Sequence, residues 1–94
     1  QKNLLIARSL IQRGSLTEPP YANAVEALRS VQRLDSDNEE ANLLLEEIAV
    51  KLASVAERAW EAGLQLEAVK YINLALALDA ERENWKRWKA EWER

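Results

Sequence analysis

The densest concentration of reactive groups in the chain is acidic. Asp35, Asp37, Glu39, Glu40, Glu46 and Glu47 crowd into one stretch. Asp35-Ser36-Asp37-Asn38-Glu39, with Glu46 in twelfth place, has the outline of a calcium loop. The sixth place, which needs glycine for its sharp turn, holds Glu40. The second half of the stretch reads as strong helix, so a turn followed by a helix cap is the expectation. Glu39, Glu40, Glu46 and Glu47 are also the only candidates for paired acid–base work. Adjacent helical residues diverge by about 100°, and no nucleophile or oxyanion donor is placed beside them. The chain has no histidine and no cysteine. It thereby lacks the commonest general base, the commonest transition-metal ligand, a thiolate nucleophile and any disulfide. Serine and threonine sit in turn or cap contexts. The expectation is a protein without catalytic residues, without a metal site and without a cofactor.

Aromatic residues offer a different chemistry. Trp85, Trp88 and Trp92 recur at i, i+3 and i+7 and share one helical face. Such a stripe either seals a neighbouring helix and Trp60, as a cap, or stands open as a platform for a partner peptide or a second copy of the chain. Lys86, Arg87 and Lys89 on the same segment are balanced by Glu91 and Glu93, which reads as a solvated face and not as a phosphate-binding stripe. A net charge of −3 with both signs interspersed gives no basic surface for nucleic acid. No apolar run is long enough to insert in a membrane. The chain opens at Gln1 inside a helical pattern, as expected of a domain cut from a longer protein.

The elements that must position these groups are helical. Apolar residues make up 48% of the 94-residue chain, much of it alanine and leucine, with two glycines and two prolines. The longest periodic segment runs from Asn38 to Ala62, with Ala41, Leu44, Leu45, Ile48, Leu52, Val55, Ala56, Ala59 and Trp60 on one side. Helices are also predicted over Lys2–Arg13, Tyr21–Leu34, Glu67–Leu78 and Glu81–Arg94. Gly14 and Gly63 are the expected left-handed stops of the first and third. Leu16 is the expected anchor of the first loop. Ser15 or Thr17 is the expected cap of the second helix, and Ser36 with Glu39, or Asp37 with Glu40, has capping-box spacing for the third.

The chain also repeats itself. Superposing Ala24 on Ala68 aligns Val25 with Val69, Leu28 with Ile72, Val31 with Ala75, Leu34 with Leu78 and Asp35 with Asp79. At a shift of 49 residues instead of 44, Ile6, Ala7 and Gly14 align with Val55, Ala56 and Gly63. The unit is helix, glycine turn, helix, aspartate turn, given twice (about 1–35 and 38–79) and followed by a single helix over 81–94.

Gly63-Leu64-Gln65-Leu66-Glu67-Ala68, followed by Ile72, Ala75, Leu78 and Asp79, resembles the tetratricopeptide repeat. Ala24, Leu28, Val31, Leu34 and Asp35 carry the same pattern. Ser36 and Ala80 stand where the family's proline usually follows the Leu-Asp pair. The resemblance, which extends to divergent segments in larger bacterial proteins, implies an all-α fold of two antiparallel helical hairpins plus a capping helix. It implies a protein–protein interaction or scaffolding module. In helix-hairpin arrays the first helix of each pair lines a concave surface. Here that surface would draw on Asn3, Leu5, Gln12, Lys51, Ser54 and Arg58, with Glu47 beside them. The expected partner is a polypeptide held in that groove. The alternative is self-association through the tryptophan helix or the open first helix.

Overall fold

A computed structural model describes residues 2–14, 16 and 23–94, and for Lys2 the backbone alone. Five helices account for most of the described chain, in the order α1 (Lys2–Gln12), α2 (Ala24–Leu34), α3 (Glu39–Glu61), α4 (Gln65–Leu78) and α5 (Glu83–Trp92). No strand occurs among the described residues. The chain is all-α, as its composition and periodicity predict. It forms two compact units, residues 1–48 and 49–94, with the boundary in the chain falling within α3. The sequence repeat sets its boundary earlier, at the turn between Asp35 and Asn38.

In the first unit α1 packs on α2. Leu4 and Ala7 of α1, Ala24, Leu28 and Val31 of α2, and Ala41, Leu45 and Ile48 of α3 are buried. Leu34, expected on the same apolar face of α2, is 78% exposed. It occupies the last position of the helix, where the chain turns away from the core. The first part of α3 is tied to both preceding helices by polar contacts. Arg8 pairs with Glu40, and the Gln32 amide donates to Asn42 Oδ1 at 2.8 Å.

Caps differ from the expected ones, and the difference has one physical cause. Asparagine, not serine or aspartate, holds both interhelical turns of this unit. Glu26 N–H donates to Asn23 Oδ1 at 3.0 Å, starting α2. Ala41 N–H donates to Asn38 Oδ1 at 2.9 Å, starting α3. Each asparagine stands three residues before the donor, the reach that a short side-chain oxygen needs. Ser36 and Asp37 lie one or two residues too early, inside the turn. Ser15 and Thr17 lie outside the described residues. Leu16 is half-buried, and its carbonyl accepts from Val25 N–H at 3.1 Å, tying the loop to the first turn of α2.

In the second unit α4 packs on α5. The buried residues are Ala49, Leu52, Ala53, Ala56 and Ala59 of α3, Ala68, Ile72 and Ala75 of α4, and Trp85 and Trp92 of α5. The α3–α4 turn is a Schellman closure. Leu64 N–H reaches Ala59 O at 2.9 Å and Gly63 N–H reaches Trp60 O at 3.0 Å. Gly63 has φ +82° and Gly14 has φ +79°. A side chain is strained in that region, which is why glycine stops α1 and α3.

Helix ends move by one to three residues from their expected places. Gln65 opens α4 two residues ahead of Glu67, because Leu64 already accepts the N–H of Ala68 at 2.9 Å. Gln12 closes α1 one residue short of Arg13, and α3 loses one residue at each end of its expected span. Among the described residues α2 begins at Ala24; Tyr21 and Ala22 lie outside them. At the other end α5 occupies Glu83–Trp92 instead of Glu81–Arg94. Asp79 caps α4 by its backbone and accepts from Arg82 Nε at 2.9 Å.

Candidate functional site

Among the described residues no cluster of three or more His, Cys, Asp or Glu could hold a metal ion. Glu39 and Glu40 lie in the first turn of α3, where carboxylates suit the positive end of the helix dipole. Glu40 is already engaged with Arg8.

The tryptophan stripe is divided. Trp85 and Trp92 are each only 4% exposed, and Trp88 is half-buried. Of the two expected arrangements this is the cap: the face of Trp85, Trp88 and Trp92 is largely closed. The reason is that α5 turns this face onto its own unit. Trp92 stacks with two rings, its centroid 5.3 Å from that of Trp60 and 5.6 Å from that of Trp88, both nearly parallel. Gln65 Nε2 donates to the Trp92 carbonyl at 2.6 Å, locking the start of α4 to the end of α5. The Arg82 guanidinium lies over Trp85, 4.8 Å from the ring centroid. The charges around the stripe pair locally, Lys86 with Glu83 at 3.4 Å and Lys89 with Glu93 at 3.8 Å.

The expected groove residues fall in both units. Gln12 ends α1 in the first unit and is exposed. Asn3 lines a depression of about 340 Å³ between α1 and α2, together with Ile6, Leu10, Ala27, Glu26 and Arg33. Leu5 is exposed on α1. In the second unit Lys51, Ser54 and Arg58 are exposed on one side of α3, and Arg58 Nη2 donates to Ser54 Oγ at 3.4 Å.

A further set of exposed apolar residues is one the spacing rules do not single out. Around the α3–α4 turn Trp60 is 40% exposed, Leu64 50% and Leu66 87%. By helical angle Trp60 belongs to the buried side of α3. It sits in the last turn of that helix, however, where Trp92 covers one face of its ring and leaves the rest open. Leu64, Gln65, Leu66 and Glu67 surround an open depression of about 420 Å³ beside Gly63. The only sequence signal is the pair of leucines flanking Gln65, too close together for one helical face.

Comparison with protein-family models, curated proteins and solved structures gives no match. No helix among the described residues is long and apolar enough to cross a membrane.

Proposed function

We propose that this chain is a non-enzymatic interaction module, a divergent tetratricopeptide-like domain that holds a partner polypeptide. The observation that carries the reading is the Trp60–Leu64–Leu66 patch. Large apolar side chains that a unit leaves in water around one glycine-closed turn cost solvation, and exposed groups of this kind are what a binding surface uses. A half-exposed tryptophan backed by a stacked indole is also a pre-organised anchor, with little rotamer freedom left to lose on binding.

The test is selection from a random peptide display library on the full chain, with counter-selection on a Leu64→Ser/Leu66→Ser variant. Enriched peptides that bind the parent and not the variant support the reading. An empty selection, or peptides indifferent to the two substitutions, overturns it.

Self-association is the second reading. Leu5 and Ile6, both exposed on α1, favour the first helix over the largely buried tryptophan helix as the contact. Sedimentation at high micromolar concentration decides: a monomer removes this reading.

A further inference from the structure

We infer that the α3–α4 turn recognises a cationic polypeptide segment, one that presents arginine or lysine beside aliphatic residues. This inference rests on the polypeptide-binding reading above and adds the charge class of the partner. Three acidic residues accompany the apolar ones along this stretch of the chain. Glu57 stands one turn before Trp60, Glu61 follows it, and Glu67 follows Leu66 in the first turn of α4; all three are exposed. None of their carboxylates has an ion pair or hydrogen bond among the described residues. Elsewhere the chain pairs several of its acids, Glu40 with Arg8, Asp79 with Arg82, Glu83 with Lys86 and Glu93 with Lys89.

The one cation between Glu57 and Glu67 is Arg58. It lies about 160° round the helix from Trp60 at 100° per residue, and its guanidinium is turned to Ser54. Lys70, one turn further along α4, stands 5.3 Å over the ring of Tyr71.

The tryptophan completes the case. Trp85 and Tyr71 each have a cation of this chain over the ring. Trp60 has only the stack with Trp92, and no cation of this chain covers it among the described residues. An exposed indole with three unpaired carboxylates on nearby residues of the same turn attracts a guanidinium or ammonium by both cation–π and Coulomb terms. Leu64 and Leu66 then receive the aliphatic neighbours of that cation. A neutral or acidic segment would gain the apolar contact and leave the carboxylates unanswered, so these acids supply discrimination and encounter rate.

The experiment uses the full chain and three fluorescein-labelled peptides that alternate leucine pairs with pairs of arginine, glutamine or glutamate, read by anisotropy. The leucine–arginine peptide is expected to bind at least about tenfold more tightly than the leucine–glutamine one. That advantage should shrink on raising salt from about 0.05 M to about 0.3 M. The variant Glu57→Gln/Glu61→Gln/Glu67→Gln should abolish the advantage. The variant Glu39→Gln/Glu81→Gln/Glu91→Gln, which removes the same charge elsewhere, should keep it. Equal loss in both variants reduces the effect to net charge and overturns the inference. If the arginine and glutamine peptides bind equally and Leu66→Ser weakens both, the polypeptide-binding reading stands and the cationic class falls. If none of the three binds, both fall. Sedimentation of the chain alone completes the set: a dimer dispersed by Leu66→Ser means a second copy occupies the patch, and the inference is then wrong.

Discussion

At the scale of single residues, the asparagines at the turns decide where helices begin. Asn38 is half-buried, its Oδ1 accepts from Ala41 N–H at 2.9 Å and its own carbonyl accepts from Asn42 N–H at 3.1 Å. It thus satisfies one of the donors that the first turn of α3 leaves without an intrahelical partner. Asn38→Ala should lower the stability of the chain by about 1 kcal/mol, the usual worth of such a cap. Ser36→Ala should leave it within about 0.5 kcal/mol, as for an ordinary surface position. Urea midpoints of the two variants check this, and equal losses would move the cap back into the turn. The capping-box spacing misleads here because two boxes overlap, Ser36 with Glu39 and Asp37 with Glu40. Only the true helix start, at Glu39, selects Asn38 over both.

At the scale of elements, the internal repeat is the part of the fold most plainly written in the sequence. Ala24, Leu28 and Val31 are buried on α2, and Ala68, Ile72 and Ala75, their counterparts, are buried on α4. Asp35 and Asp79 close the two helices in the same way, each N–H returning to the residue four places earlier. Periodicity reads well wherever one face of a helix is covered along its length. It fails at helix ends, where Leu34 and Trp60 have the right angle but too little neighbouring chain above them. The same limit hid the candidate site, which is made by a turn and not by a face. Small residues on the buried face are the repeat's packing condition. Ala68 is fully buried with α5 packed on its helix, so Ala68→Leu should cost about 1–3 kcal/mol by overpacking. Ala77→Leu, on the exposed side of α4, should be close to neutral. An unchanged denaturation midpoint for Ala68→Leu would remove that residue from the core.

At the scale of the whole molecule, the question is whether the two compact units unfold as one. Each contains part of α3, the first through Ile48 and the second from Ala49, and the helix is continuous through that point. A helix is unstable without its packed face. Melting either unit therefore withdraws support from residues that continue the other unit's helix. All four tryptophans, 60, 85, 88 and 92, fall in the second unit. Tryptophan emission thus reports on that unit alone, while far-ultraviolet dichroism reports on both. The two urea transitions should coincide if the shared helix couples the units. Val50 tests the coupling without disturbing the core, because its side chain is 46% exposed near the midpoint of α3. Val50→Pro removes a backbone donor and clashes with the preceding turn, costing about 3 kcal/mol or more. It should separate the two transitions, whereas Val50→Ala should leave them superposed. Transitions already apart in the parent chain would show that each unit holds its own share of α3. The turn at Gly63 would then have to be treated as the property of the second unit only, and its binding measured against that unit's stability.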